Sequence, residues 1–256
     1  MQRSSSSTNQ QFISVVIPVY NEEANLKDCL DSLSKQILKA DKIYVVDNNS
    51  TDNSVNIARS YNFVTTLHET TQGICASTKT GFDVASKNGG LILRLDADCH
   101  PEKDWIGKMS KHFSSDPSII AVTGPGIAYD AKPIGKLLMT LFYMKPYFLL
   151  VGLALSRKPL FGSNLAICAS TWQKISSNTH LASHQNIHDD IDISFHLLGQ
   201  GKTIYDSSIK MPISSRPLKS TPRALLKRYS AGFRSIFIHW PQQTPWKNWL
   251  AYHKSN

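Results

Sequence analysis

Short apolar runs rich in β-branched residues alternate with segments of helical period through the first half of this chain, and that alternation leaves few architectures open. FISVVIPV (12–19), KIYVVD (42–47), FVTTLH (63–68), LILRLD (91–96) and IIAVTG (119–124) each read as a strand bounded by polar residues. Between the first two, NEEANLKDCLDSLSKQ puts Leu26, Leu30 and Leu33 on one helical stripe behind acids in the first turn. NNSTDNSVNIARSY offers Ser, Thr and Asp as N-caps, and further helices are expected over 76–87 and 102–113. Runs that are apolar throughout fit strands covered on both faces. Repeated β-α units of this size imply an α/β fold with a mostly parallel central sheet and helices on both faces. At 256 residues and 41% hydrophobic content, the chain can bury one large core or two small ones, and it contains no internal repeat.

In open sheets of this kind ligands bind beyond the carboxyl ends of the strands. Three of the strands end in polar residues that would open onto one edge: Pro18-Val19-Tyr20-Asn21-Glu22, Asp47-Asn48-Asn49 and Asp96-Ala97-Asp98. One acid at a strand tip is commonly a cap, whereas three coincident tips point to a site. Asp96 and Asp98 are two residues apart on an extended chain, so they share a face and repel each other unless a cation holds them. Mg²⁺ or Mn²⁺ suits that pair, taking carboxylate, phosphate and water oxygens. Such an ion would bridge the diphosphate of a nucleotide and offset charge on it as a leaving group. D-x-D alone is common in acidic loops; its place at the end of an apolar strand gives it weight. Downstream, NIHDDIDISFHLLGQGK (186–202) sets Ile191, Phe195 and Leu198 on a core stripe, with Asp189 and Asp190 at the helix N-terminus. A carboxylate there is either a complement to the helix dipole or, facing a hydroxyl, a general base.

The charge is unevenly placed. From Lys202 onward there are ten Lys or Arg against one acid, Asp206, so this segment carries the whole net charge of +9. An anionic partner is implied: phosphate, an acidic membrane surface or nucleic acid. Nucleic acid is disfavoured, because the aromatic residues there are not interleaved as stacking platforms. The opening MQRSSSSTNQQ (1–11) has neither an apolar h-region nor a small-residue cleavage site and reads as a disordered polar tail of a cytoplasmic protein. IGKLLMTLFYMKPYFLLVGLALS (134–156) is interrupted by Lys136, Lys145 and Pro146, and is expected as a buried or interfacial helix pair rather than a membrane crossing. The Trp-rich end, HWPQQTPWKNWLAYHK, could rest in a headgroup layer or pack on the domain. Cys29, Cys75, Cys99 and Cys168 form no C-x-x-C pair and are expected as reduced structural thiols.

Residues 12 to about 202 resemble the family 2 glycosyltransferases of the GT-A fold. VVIPVYNEE is similar to that family's opening strand and loop, VVDNNSTDNS to its second strand, and LRLDADC to its D-x-D. FGSNLAI (161–167) resembles the G-x-N segment near the acceptor, and HDDIDISFHLLGQGK the E-D-x-x-L helix. Five such segments in the family's order and spacing are highly specific. The resemblance implies a GT-A nucleotide-binding sandwich over 12–213, with a donor half (12–125), an acceptor half (126–213) and a basic helical extension (214–256). It implies transfer of a single sugar, with inversion, from a nucleotide-diphosphate sugar to an acceptor hydroxyl on a glycan or lipid-linked acceptor in glycan or cell-envelope polysaccharide synthesis. Pro18, Val19, Tyr20 and Glu22 would line the nucleoside pocket, and Asp47 would bind the base with Asn49 beside it. Asp96 and Ala97 would approach the ribose, Asp98 and Asp96 the metal. Asp190 would be the base, with Asp189, Gly162 and Asn164 on the acceptor side.

Departures from the pattern are equally specific. Asn48 replaces the usual acid after Asp47, and Ser77-Thr78-Lys79-Thr80-Gly81 stands where many members have A-R-N-x-G, leaving Lys79 in the Asn position as a donor contact. The Q-x-x-R-W motif of processive synthases is absent, which favours single additions. SSRPLKSTPRALLKRYSAGFR (214–234) is similar to a Ser-x-Arg element and basic helix that follow the base helix in some members. Thr221 is its cap and Pro222 lies in its first turn; Arg223 and Lys227 share a face. Arg228 and its neighbours are expected to clamp the donor diphosphate, and the tail to meet an anionic membrane peripherally. His239 reads as a packed ring before a metal ligand. Two other functions compete: a nucleotidyltransferase, against which PVYNEE lacks a glycine-rich basic loop, and a non-catalytic nucleotide-sugar module, against which Asp96, Asp98 and Asp190 are all retained.

Overall fold

The computed structural model describes residues 11–183 and 186–254. The polar tail expected at the N-terminus lies, over residues 1–10, outside them. In chain order the elements are β1 (Ile13–Val19), α1 (Leu26–Ser34), β2 (Lys42–Asp47), α2 (Ser54–Arg59), β3 (Val64–His68), α3 (Ile74–Ser86), β4 (Leu91–Arg94), α4 (Trp105–Ser115) and β5 (Ile119–Thr123). There follow β6 (Gly126–Ala128), α5 (Pro133–Met139), a π-helical turn (Thr140–Met144), α6 (Lys145–Leu155), β7 (Leu165–Cys168), α7 (Ala169–Ile175) and α8 (Asp189–His196). The last are β8 (Lys202–Tyr205), β9 (Met211–Ile213), a 3₁₀ turn (Arg216–Lys219), α9 (Pro222–Phe237) and α10 (Pro245–Lys254).

The main sheet has the order β3-β2-β1-β4-β7-β5-β8. Every pairing is parallel except the two made by β7, which runs antiparallel between β4 and β5. All seven residues of β1 and all four of β4 are buried, as unbroken apolar runs at the centre of a two-sided sheet require. On one face Leu26, Cys29, Leu30 and Leu33 of α1 sit under Ile13, Val15 and Ile17; on the other, Phe82 and Ala85 of α3 join Trp172 of α7. Gly81 lets α3 lie close on the sheet, since a Cβ there would come within 2.4 Å of the Val16 side chain. All four cysteines are free thiols.

Two asparagines shape the edge that matters. Asn21 and Asn49, just past β1 and β2, have φ of 53° and 65°, a left-handed conformation that Asn tolerates better than other non-glycine residues. The turn lets Asn21 Oδ1 accept from the Thr51 N–H (2.8 Å), tying the two loops together. Asn48 explains one departure from the family pattern. Its amide donates to the carbonyls of Glu69 and Thr71 (2.9 and 2.7 Å) while its Oδ1 accepts from the Gly73 N–H (2.6 Å). A carboxylate cannot donate, so an acid at 48 would leave those carbonyls without a partner.

The segment expected as a helix pair departs from its sequence reading. α5, the π-helical turn and α6 run on without a break from Pro133 to Leu155, 23 residues, long and apolar enough to cross a bilayer by length and composition alone. Met139, Met144, Phe148, Val151 and Leu155 pack inward, while Ile134, Leu137, Leu141, Phe142, Leu149 and Leu153 are exposed. The segment is therefore half packed rather than buried.

Candidate active site

Because β2, β1 and β4 are parallel neighbours, their carboxyl ends share one edge, and a cleft of about 400 Å³ opens there. Pro18, Val19, Tyr20, Glu22, Asp96, Ala97, Asp98 and Arg228 all line it. Opposite the carboxylates stands Arg216 of the Ser-x-Arg element. Its guanidinium lies 2.6 Å from Asp98 Oδ2 and 2.8 Å from Glu22 Oε1. Burial, together with the neighbouring Asp96 carboxylate, pushes the Asp98 carboxyl up to about 6, against the pull of Arg216.

Asp96 is held differently. Ser163 Oγ donates to its Oδ2 (2.5 Å), and Arg94 Nη2 lies 2.9 Å from its Oδ1. Arg94 is the residue that sequence reasoning passed over entirely. It is 2% exposed, ends β4, and reaches across to Asp189 Oδ2 at 3.3 Å. Burial works against its charge, but Asp189, Asp96 and Asp190 outweigh that and hold it protonated. Asp189 Oδ2 also accepts from Thr78 Oγ1 (2.6 Å). The position where the resemblance would put an Arg thus meets Asp189 with a hydroxyl, and β4 supplies the guanidinium.

Asp190, one residue along α8, is 6% exposed. Its Oδ2 accepts from the Gly162 N–H (2.8 Å) and lies 2.9 Å from the Tyr147 hydroxyl, which is 2.5 Å from the Leu160 carbonyl. That hydroxyl has one hydrogen to share between two acceptors, so Asp190 is incompletely satisfied by it. Burial, then the adjacent Asp189 charge, raises the Asp190 carboxyl above the usual carboxylate range. Gly162 is required for the approach: a Cβ there would fall 1.9 Å from Arg94 Nη1 and 3.3 Å from Asp190 Oδ2. Asp190 opens not into the cleft but into an adjoining groove of about 90 Å³ between α6 and α9, whose wall of Tyr143, Phe161 and Arg228 is common to both.

Asp47, Asn49, Lys79 and Asn164 lie outside the cleft lining. Asp47 is buried, its Oδ1 accepting from the Ser50 N–H (3.2 Å) and its Oδ2 3.3 Å from His68 Nδ1. Asn49 donates to the Thr70 carbonyl (2.9 Å). Lys79 is turned along its own helix to Asp83 (2.6 Å). Asn164 points inward, accepting from Trp105 Nε1 (2.9 Å) and donating to the Ile209 carbonyl (2.7 Å). Arg228 leans on the Tyr143 ring (5.7 Å), with Nη1 3.2 Å from its hydroxyl, whereas Arg223 and Lys227 are exposed on the outer face of α9. Thr221 caps that helix as expected, accepting from the Ala224 N–H (3.3 Å).

Residues 14–169 match the family model described as Glycosyl transferase family 2. The chain belongs to that family. The glycosyltransferase AglE of Haloferax volcanii is 36% identical over 102 residues, covering 37% of this chain and 33% of that one. The poly(ribitol-phosphate) beta-glucosyltransferase of Bacillus spizizenii is 36% identical over 104 residues, covering 37% and 15%. The chain thus spans a third or less of the length of these relatives. Among solved structures, glucosyl-3-phosphoglycerate synthase from Mycobacterium tuberculosis, in complex with Mn²⁺, uridine diphosphate and phosphoglyceric acid, superposes with a TM-score of 0.57 at 17% identity, covering 85% of this chain and 74% of that one. The α/β architecture of this family 2 member is that of the GT-A neighbours.

Proposed function

We propose that this family 2 member is a metal-dependent inverting glycosyltransferase that moves one sugar from a nucleotide-diphosphate sugar to the hydroxyl of a lipid-linked acceptor at a membrane surface. One observation carries the reading: Asp96, Asp98, Arg216 and Arg228 converge on a single cleft, and the buried Asp190 carboxylate lies just behind its wall. Residues 12–125 supply the donor half, 126–213 the acceptor half, and 214–256 an extension that reaches back into the cleft through its arginines.

In this reading Pro18, Val19, Tyr20 and Glu22 hold the nucleoside, while Asp47, held by Ser50 and His68, and Asn49, held by Thr70, brace the β2 loop behind the base from outside the lining. The oxygen donors of Asp98 and Asp96 fit a divalent cation such as Mn²⁺ or Mg²⁺, and the guanidinium against Asp98 marks the place as one that takes positive charge. When bound, such an ion supplies charge that offsets the charge building on the departing diphosphate. Arg228 and Arg216 stand opposite, where bidentate donors grip phosphate oxygens. The acceptor oxygen attacks the anomeric carbon, the bond from that carbon to the diphosphate breaks with its electron pair, and the acceptor proton passes to Asp190. Gly162 and Tyr147 fix the orientation of that carboxylate, while Asp189 and Asn164 position the elements around it. The Mn²⁺ and uridine diphosphate in the mycobacterial synthase support the choice of cation and donor class.

Titration calorimetry with UDP, GDP, dTDP and CDP, each with and without Mn²⁺, tests the donor site. One nucleotide class is expected to bind only with metal, and Asp98→Ala is expected to weaken it by about 100-fold or more, since even outer-shell changes cost metal affinity up to that factor. Absence of binding under every condition would remove the donor assignment.

The acceptor class is argued from apolar surface. The groove at Asp190 is walled by Leu150, Val151, Phe233 and Ile236. Leu226, Tyr229, Phe233 and Phe237 form an exposed stripe on α9, and the Tyr229 hydroxyl donates to the Phe142 carbonyl (3.1 Å), joining that stripe to the exposed face of 133–155. Lys136, Lys145, Arg223 and Lys227 are exposed on these same helices. Apolar side chains rimmed by lysine and arginine suit insertion at an anionic headgroup layer. Vesicles containing phosphatidylglycerol are expected to retain the chain at least about tenfold better than phosphatidylcholine alone, from ~1 kcal/mol per basic residue. Phe233→Glu should abolish that retention; equal partition onto both vesicle types would sink the membrane reading.

A further inference from the structure

Away from the cleft, three imidazoles close on one carboxylate. Asp192 and His196 lie at i and i+4 on α8, His180 comes from the segment before that helix, and His239 from the turn that ends α9. His180 Nδ1, His239 Nε2 and His196 Nε2 stand 2.7, 3.1 and 3.7 Å from the same oxygen, Asp192 Oδ1. The four ligand atoms all lie within 4.8 Å of one another. Asp192 is fully buried and His239 is 5% exposed. The Asp192 Oδ2 atom is already engaged, accepting from the His180 backbone N–H (2.9 Å).

Hydrogen bonding leaves this arrangement incomplete. One carboxylate oxygen has two lone pairs, and three ring nitrogens face it. The Nε2 atoms of His196 and His239 have no hydrogen-bond partner among the described residues, although both are buried. A ring nitrogen that carries no proton presents a lone pair to a negative oxygen. Packing does not explain the convergence either: stacking of His239 on Phe195 (centroids 4.2 Å, 14°) fixes the ring plane but not the direction of its nitrogen toward Asp192.

We propose that His180, Asp192, His196 and His239 form a second metal site that takes Zn²⁺ or a similar borderline transition-metal ion and clamps the end of the basic helix α9 to α8, the helix that carries Asp190. Three imidazoles and one carboxylate are a ligand set for zinc, not for Mg²⁺ or Mn²⁺, which favour oxygen. Bonds of about 2.0–2.1 Å in a tetrahedron put ligand atoms roughly 3.3 Å apart. The distances of 2.7, 3.1 and 3.7 Å to Asp192 Oδ1 bracket that edge. Four protein ligands leave no open coordination position, which makes the site structural. It is distinct from the donor cation site in chemistry and in place, because residues 190 and 192 are about 200° apart around a helix of 3.6 residues per turn. The clamp joins three segments spread over residues 180–239. It holds α9 where Arg228 reaches the cleft wall, so the donor-side arginine depends on a contact made just past the C-terminal end of its helix.

The test uses the full chain. After dialysis against Zn²⁺ and removal of loosely held metal, elemental analysis is expected to find about one zinc per chain in the wild type and in Asp98→Asn, and none in a His196→Gln/His239→Ala double variant. Loaded with Co²⁺ instead, the wild type should show the intense visible absorption of a tetrahedral site, a readout that needs no variant to fold. Zinc at about a hundredfold above its Kd should raise the wild-type Tm by roughly 5 to 10 °C, and EDTA should reverse the rise. A wild type that holds no zinc and shows no tetrahedral cobalt spectrum would overturn the site. So would zinc that is lost in Asp98→Asn but kept in the double variant, which would assign the ion to the donor cleft.

Discussion

Asp190→Asn is expected to lower kcat by about 10³-fold while leaving metal-dependent nucleotide binding within about twofold of the wild type, the loss that removal of a general base produces. The amide keeps the shape of the side chain, and its oxygen can still accept from the Gly162 N–H that now lies 2.8 Å from the carboxylate. What it lacks is a basic lone pair for the acceptor proton. Single-turnover rates and calorimetry on the same preparation separate the two effects. The neighbouring carboxylate is not an alternative base, because Asp189 Oδ2 is held by the Thr78 hydroxyl and by Arg94. Asp189→Asn should therefore act by loosening the site. If Asp190→Asn instead turned over at more than about a tenth of the wild-type rate, the acceptor proton would have to leave by another route, and Asp190 would be reduced to a strut for the Gly162 loop.

How far the sequence reveals this site depends on whether a feature is local. The strands β1, β2 and β4 are legible because a two-sided strand must be apolar along its length, and their polar tips could then be assigned to one edge by the parallel-sheet rule alone. The D-x-D pair and the acidic start of α8 are likewise contiguous in sequence. The family, inferred from five such segments, is borne out by the match over residues 14–169. Partners that meet across the fold were not legible. Arg216 lies 118 residues from Asp98, and its Ser-x-Arg element marks the residue but not the carboxylates it meets. Lys79 illustrates the reverse: its motif position suggested the donor, but Asp83 one turn along offers a nearer carboxylate. The segment 134–156 is expected as a helix pair because Lys136, Lys145 and Pro146 interrupt it, yet proline in the first turn of α6 is compatible with helical continuity through the π-helical turn before it. His239 looked like a lone packed ring because its companions come from two other segments.

Arg94 is the extreme case, and its replacement is expected to have the largest effect on stability. LILR reads as an apolar strand with a polar last residue, which would ordinarily turn to solvent. Here the next turn leads into Asp96, whose carboxylate faces back, while α8 presents Asp189 from 95 positions later. The guanidinium is the cation shared by both. Arg94→Met fills most of the volume and removes the charge, leaving two carboxylates beside each other with the Ser163 and Thr78 hydroxyls as their side-chain partners among the described residues. Breaking a buried pair in this way costs about 3–5 kcal/mol, which for a chain of this size corresponds to a fall in Tm of roughly 10 °C. Arg94→Lys retains charge but not the planar fork, so it should recover part of the stability without restoring both contacts. Adding Asp189→Asn to Arg94→Met should recover part as well, because the second variant removes the charge that the first leaves unpaired. Urea unfolding of the wild type, Arg94→Met, Arg94→Lys, Asp189→Asn and the double variant measures these differences directly. Near-additive losses, or an Arg94→Met variant within about 1 kcal/mol of wild type, would mean the guanidinium is not what joins the D-x-D loop to the base helix. If the losses instead couple as expected, the residue that is silent in the sequence is what holds the Asp96 and Asp189 carboxylates at a fixed separation.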